Sequence, residues 1–216
     1  MSMKNSSPWS SNMKYEIIAA DPPWRFQNWS MAELAKRGEK WARRNGRSPY
    51  DVMDTTTIAN LPVSNICAKN CVLFLWATYP KLEDALTVLH GWKFKFKTVA
   101  FTWVKLNPKG NIAYPPNEIR INGRFHYGLG YWTRQNPEIC LLATRGKNTR
   151  ISNRVENLIV HPLMGHSRKP PVYRDRIVEL LGDRPRIELF ARDIAPGWDA
   201  TGLECDGIDI RDFLTR

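Results

Sequence analysis

Five short apolar runs limit most strongly how this chain folds: residues 15–20 (YEIIAA), 71–77 (CVLFLWA), 97–105 (KTVAFTWVK), 138–144 (EICLLAT) and 186–192 (RIELFAR). Each has strand length and is rich in β-branched or aromatic residues, with Pro, Gly or polar residues beside it. The stretches between them at 55–61, 81–90 and 170–181 read as helices. Pro62 stops the first and Gly91 the second, while the third has Pro in its first turn and Gly182 after its end. Residues 157–161 form a short extended segment, and the tail to Arg216 holds one more short strand or turn and a brief helix. Strands alternating with helices predict an α/β fold, a mainly parallel sheet covered on both faces. Ligands of such sheets gather at the carboxyl ends of the strands. That rule places Asp21, the region after Ala77 and the region after Arg192 around one crevice.

The chain has 216 residues, which suits a single domain over 14–216 preceded by a loose polar tail, 1–13. With 32 Lys and Arg against 21 Asp and Glu the net charge is +11, which favours a polyanionic partner over a surface tuned only for solubility. Much of the surplus lies between Lys36 and Arg47, which reads either as a solvated face or as an arm tracking phosphates. Cys67, Cys71, Cys140 and Cys205 have no His or second Cys pair at metal-ligand spacing, so neither a zinc site nor a disulfide framework is expected, and a reducing cytoplasm fits best. No apolar run approaches the length of a membrane span or forms a signal peptide. Residues 106–136, rich in Gly, Pro, Asn and aromatics, lack clear periodicity, the pattern of a functional or a disordered segment.

The sharpest chemical signal closes the first run: Asp21-Pro22-Pro23-Trp24. Neither proline donates a ladder hydrogen bond, so the strand stops and a stiff turn follows. A strand-ending turn with its Trp in the core is the structural reading. The chemical reading starts from an aromatic exocyclic amine, whose delocalised lone pair makes it a poor nucleophile. To accept a methyl group such an amine must be held in line with the donor, its hydrogens bonded to fixed acceptors. Asp21 and the Pro22 carbonyl are such acceptors, and Trp24 offers a face on which an extruded base can stack.

This motif resembles the DPPW signature of the N6-adenine methyltransferases related to the catalytic subunit of the eukaryotic mRNA adenosine methyltransferase. The resemblance runs from about Tyr15 to Gly207. It also rests on Leu73 to Ala77, Trp103-Val104-Lys105, Gly128 to Arg134, Pro137-Glu138, Ser167-Arg168-Lys169-Pro170 and Ile187 to Arg192. The tract Gly128-Leu129-Gly130-Tyr131-Trp132-Thr133-Arg134 is similar to bacterial and phage members. The resemblance implies a Rossmann-like, S-adenosylmethionine-dependent methyltransferase fold in permuted order, with the catalytic motif N-terminal and the cofactor strand C-terminal. It implies methyl transfer to adenine N6, without a metal, in DNA or alternatively in RNA. The protein would act as a monomer or homodimer in the cytoplasm of a bacterial or phage-infected cell. A catalytically silent, nucleic-acid-gripping subunit is the competing reading, and such relatives typically lack the first Asp. An unrelated Rossmann-like dehydrogenase or hydrolase would need the Gly-x-Gly-x-x-Gly fingerprint or the Ser elbow, which the sequence does not have.

By the same resemblance the catalytic residues are Asp21, Pro22, Pro23 and Trp24. Cofactor contacts fall to Asp21, Ser167, Lys169, Arg192 and Glu204. Lys169, just before a helix, is matched to the cofactor's carboxylate. Arg192 and Glu204 are matched to its ribose and adenine, although Leu203-Glu204 stands where eukaryotic members carry Asn-Gln. Tyr50, Lys105, Trp132, Arg134 and Glu138 are matched to the target side. Trp132, set among glycines and charges, reads as a stacking surface.

Overall fold

The computed structural model describes residues 13–26, 52–109, 111–113, 120–122, 125–128, 132–165 and 168–215. Alternation along the first two apolar runs builds the centre of the fold. In β1 (Tyr15–Ala20), Ile18 and Ala20 pack into one apolar cluster while Ile17 and Ala19 pack into another on the opposite face. β2 (Cys67–Thr78) repeats this, with Leu73, Leu75 and Ala77 on one side and Val72, Phe74 and Trp76 on the other. A strand buried on both faces needs cover on both. Helices α1 (Thr55–Ala59), α2 (Leu82–Gly91) and α4 (Ile210–Thr215) cover the first face, and α3 (Val172–Leu181) covers the second.

Seven strands form one sheet in the order β7-β3-β6-β2-β1-β8-β9. The others are β3 (Lys95–Leu106), β6 (Glu138–Arg145), β7 (Leu158–Pro162), β8 (Arg186–Leu189) and β9 (Asp199–Thr201). The expected mainly parallel sheet is present with one reversal. β6 runs antiparallel to both its neighbours, β2 and β3, while every other pairing is parallel. The reversal matters for the site, because the first residue of β6 then lies at the carboxyl edge of the sheet. Glu138 pairs with Thr78 on one side and Trp103 on the other.

Several boundaries differ from the sequence pattern for local reasons. β2 starts four residues early, at Cys67, where its register against β1 is broken by a bulge. β8 stops at Leu189, because Phe190 turns the chain with φ of 60°. Residues 106–136 are not wholly irregular: β4 (Asn111–Ala113) and β5 (Arg120–Asn122) form a small antiparallel pair. Among the described residues no helix is long and apolar enough to cross a membrane, and no cluster of His, Cys, Asp or Glu is suited to hold a metal ion.

Helix α1 is the support of the acidic turn. Asp54 caps it, its carboxylate accepting from the Thr57 backbone N–H at 2.8 Å. The preceding residue, Met53, clips the turn with its backbone: its N–H donates to Pro23 O at 2.8 Å and its carbonyl accepts from Arg25 N–H at 3.0 Å. The end of α1 docks on α2, where a Cβ on Gly91 would lie 2.4 Å from the Ala59 carbonyl oxygen. Intrinsic helix propensity favours Ala over Gly by about 0.8–1 kcal/mol, but overpacking against a fixed backbone costs about 1–3 kcal/mol. Gly91→Ala is therefore predicted to lower stability in a denaturant melt. A stabilised variant would contradict this packing.

Candidate active site

The turn after β1 opens onto a cleft of about 180 Å³. Its walls include Asp21, Pro22, Pro23 and Trp24 from the turn, Ala77 and Thr78 from the end of β2, and Arg192 beyond β8. These are the three strand ends that the parallel-sheet rule brings together. Glu138, Lys169, Leu203 and Glu204 line it as well.

Four charged side chains form a continuous chain, of which Asp21, Glu138 and Lys169 line the cleft and Lys105 stands behind Glu138. Lys169 Nζ donates to Asp21 Oδ2 at 2.5 Å and lies 3.2 Å from Glu138 Oε2. Glu138 Oε1 in turn accepts from Lys105 Nζ at 2.5 Å. The Lys169 side chain is only 8% exposed, and its ammonium stands 5.7 Å from the centre of the Trp76 ring. A buried cation in such a place needs anionic neighbours, and it has two. They hold Lys169 protonated well beyond the ordinary lysine range against the opposing effect of burial. For Glu138 burial acts upward, but the Lys169 and Lys105 ammoniums outweigh it and keep its carboxyl below the usual range. Asp21 goes the other way. Burial, helped by the Glu138 charge, raises it above the usual carboxylate value despite Lys169 and Arg192.

The turn itself is fixed by main-chain bonds. Trp24 N–H donates to Pro22 O at 2.8 Å, using one of the two lone pairs of that carbonyl. The Trp24 indole is 5% exposed and sits in the core, its Nε1–H donating to Trp76 O at 3.1 Å. What remains of its surface lines the cleft. Trp24 thus braces the turn from within as well as facing the cleft.

The far wall depends on a close approach of two backbones. A Cβ on Gly202 would lie 2.4 Å from the Ala191 carbonyl oxygen, and Ala191 N–H donates to Thr201 O at 2.9 Å. This brings Arg192 and Glu204 together, with Nη1 and Oε1 at 3.6 Å, while the neighbouring Leu203 is largely exposed. A smaller recess adjoins the cleft beside Asp21 and Lys169. Arg174 organises it, donating to Glu188 Oε2 at 2.6 Å and Asp193 Oδ1 at 2.8 Å. Neither Arg174 nor Glu188 stood out in the sequence. The available signal was an acidic residue in the middle of an apolar strand, which needs a buried partner.

On the other side, Trp132 is 100% exposed, so it does not pack in the core. Tyr127 and Phe125 on the same loop are also exposed. Arg134 turns inward on this loop, donating from Nε to Gly128 O at 2.9 Å and from Nη2 to Tyr127 O at 2.8 Å. Tyr50, Ser167 and the basic run from Lys36 to Arg47 lie outside the described residues.

Replacing Lys169 by Met removes the ammonium bonded to Asp21 and one of the two cations on Glu138, a loss of about 3–5 kcal/mol at neutral pH. The missing ammonium raises both folded-state carboxyl pKa values, so protonation relieves the strain. The gap between variant and wild type is therefore predicted to narrow as pH falls through the carboxylate range. Urea melts at neutral and acidic pH check this, and a gap that widens toward acid contradicts it.

Comparison with known proteins adds an independent line. The family model MT-A70 matches residues 15–204. The type II methyltransferase M.MunI of Mycoplasma sp. is 29% identical over 202 residues, covering 88% of this chain and 78% of that protein. The human N(6)-adenine-specific methyltransferase METTL4 is 26% identical over 200 residues, covering 88% of this chain and 37% of its own length. The N6-methyladenosine RNA methyltransferase MTA1 of Pyricularia oryzae is 26% identical, covering 87% of this chain and 46% of its own length. The chain thus spans most of M.MunI but less than half of METTL4 or MTA1.

Proposed function

The chain belongs to the MT-A70 family, and from that premise we propose that it transfers a methyl group from S-adenosylmethionine to the N6 amine of adenine in DNA. The observation that carries this is the acidic turn after β1, where the Asp21 carboxylate and the Pro22 carbonyl sit at the edge of one cleft. The fold order adds support: β1, which bears the turn, comes first in the chain, and its neighbour β8, which leads to Arg192, comes late. That order supports the permuted methyltransferase arrangement proposed for the chain.

The cleft fits the cofactor. The close approach of the Gly202 backbone to Ala191 carries Arg192 and Glu204 to one wall of the cleft. Glu204 offers a carboxylate for ribose hydroxyls, and Arg192 offers a guanidinium beside it. Lys169 would hold the cofactor's carboxylate, a role the resemblance also extends to Ser167, which lies outside the described residues. When bound, S-adenosylmethionine supplies a methyl group already activated by the sulfonium charge, so the protein's work is orientation and charge stabilisation. Lys169 holds Asp21 Oδ2, which assigns Oδ1 to one amine hydrogen, and the second lone pair of Pro22 O takes the other. As the N6–methyl bond formed and the methyl–sulfur bond broke, leaving S-adenosylhomocysteine, positive charge would develop on N6 beside the carboxylate that Lys169 holds in place. The N6 proton then leaves to solvent by way of Asp21, whose raised pKa suits it to accept one. Tyr50, Trp132, Arg134 and Lys105 belong to the target side, with the adenine extruded or already unpaired.

DNA is proposed first because the Gly128 to Arg134 tract is similar to compact bacterial and phage members, and the chain spans most of M.MunI. The match to MTA1, an RNA methyltransferase, favours RNA adenosine as the second reading. A net charge of +11 suits either polyanion. A monomer or homodimer acting in the cytoplasm completes the proposal.

Incubation of DNA and RNA oligonucleotides with labelled S-adenosylmethionine, followed by mass-spectrometric counting of N6-methyladenine, tests it. Incorporation by the wild type is expected, with loss of about 10²-fold or more in Asp21→Ala. No N6-methyladenine in either polymer, or an undiminished Asp21→Ala, overturns it. The pH profile gives a second check. Because Asp21 must be ionised and its pKa is raised, activity is predicted to fall off on the acid side at a higher pH than an ordinary aspartate would give. A profile flat down to the ordinary aspartate range contradicts that role.

A further inference from the structure

A residue with no role assigned so far stands where three stretches of chain meet. The antiparallel ladder between β3 and β6 ends with Trp103 opposite Glu138. Two residues beyond that pair, Lys105 of β3 faces Asn136, just ahead of β6, and residues 125–128 come in beside them through two isolated antiparallel bridges. Leu106 bridges to Phe125, and Gly128 bridges to Gln135. Backbone bonds tie this stretch in part, His126 N–H donating to Lys105 O at 2.9 Å and Gly128 N–H to Gln135 O at 2.7 Å, and the Asn136 side chain adds the bonds that join all three stretches at one point. Its Oδ1 accepts from Lys105 N–H at 3.0 Å, and its Nδ2 donates to Lys105 O at 2.8 Å and to His126 O at 2.5 Å. The amide mimics a peptide group, with both amine hydrogens used. Asn136 is 8% exposed, so these bonds are made away from water, where they hold geometry most firmly.

Both stretches that Asn136 joins lead to the proposed target side. Lys105 carries the ammonium that holds Glu138, and Glu138 shares Lys169 with Asp21. His126 begins the turn that bears exposed Tyr127, which Arg134 pins from the other side at Tyr127 O and Gly128 O. Trp132, fully exposed, lies between these anchors. The exposed aromatics and the carboxylates are thus held relative to one another by main-chain bonds, by Arg134 and, at the point where the stretches meet, by the Asn136 amide.

We propose that Asn136 is a positioning residue for the target base. It locks the aromatic loop of Tyr127 and Trp132 to the Lys105–Glu138 end of the charge network, so that a base stacked on the loop presents its amine to Asp21. This deepens the adenine-methylation reading and rests on it. Asn136 touches neither cofactor nor base.

Two variants and one measurement on the unaltered protein test it. Asn136→Ala removes the amide. Asn136→Asp keeps its volume but removes both donors and sets a carboxylate against two carbonyls, so a denaturant melt of each variant accompanies the kinetics and only folded protein is compared. For both, kcat/KM toward an adenine oligonucleotide is expected to fall about 10²-fold, with KM rising, since small misplacements of a reacting group have effects of that size. Affinity for S-adenosylmethionine, measured by calorimetry, is expected to stay unchanged. Wild-type kinetics in both variants overturn the proposal, and so does a loss of S-adenosylmethionine affinity in step with activity, which marks a merely structural residue. In the wild-type protein the Lys105 amide hydrogen should exchange as slowly as amides inside β3, and fast exchange overturns the tether itself. A wild type that methylates no adenine sinks the functional reading along with this one. An active wild type matched by its variants sinks this one alone.

Discussion

One shared cation ties this structure together. Lys169, just ahead of α3, is held by a carboxylate after the first strand and by another at the start of the reversed strand β6. The three groups come from parts of the chain far apart in sequence, and the folded sheet is what brings them within bonding distance. The cost of burying any one of these charges alone would be several kcal/mol. Together they form a neutralising chain that Lys105 extends to the edge of the aromatic loop. The same arrangement explains why Asp21 and Glu138 move in opposite directions from the usual carboxylate range. Glu138 has a cation on each of its oxygens, whereas Asp21 shares one and also faces the charge of Glu138.

The rest of the fold serves to hold the acidic turn still. Met53 clips Pro23 and Arg25 from one side, riding on a helix whose end is wedged against Gly91. Trp24 anchors it from below through the Trp76 carbonyl, and Trp76 is itself packed edge-on against Tyr173 of α3 at 5.4 Å. Trp24 in the apolar cluster of one face is thus bonded to the backbone of a strand residue whose ring packs on α3 across the other. Preorganisation of this kind is what transfer to a weakly nucleophilic amine requires, because the acceptors must not move as charge develops.

Much of this was legible in the sequence, and the reasons are specific. β1 was readable to the residue, since an apolar run ending in Asp-Pro-Pro has only one place to stop. The cleft followed from the strand ends at Asp21, Ala77 and Arg192. Other features were hidden because they depend on pairing. Nothing in residues 138–144 announces that the strand is reversed, yet that reversal carries Glu138 to the working edge of the sheet. The bulge that lengthens β2 to Cys67, the Arg174–Glu188 pair and the Asn136 junction are likewise tertiary facts. Trp24 shows a subtler limit. Its place in the motif was plain, but the depth of its burial was settled by a carbonyl on a neighbouring strand.

The central claim is that Asp21, steadied by Lys169, receives the amine of an unpaired adenine at the mouth of the first strand. The most direct measurement is the carboxyl carbon resonance of Asp21 in isotope-labelled protein, followed as an adenine-containing oligonucleotide is added in the presence of S-adenosylhomocysteine. The account predicts a saturable shift at Asp21 that an otherwise identical oligonucleotide with inosine in place of the adenine nucleoside, lacking the exocyclic amine, does not produce. An Asp21 signal indifferent to the adenine amine, under conditions where the oligonucleotide is bound, would contradict it.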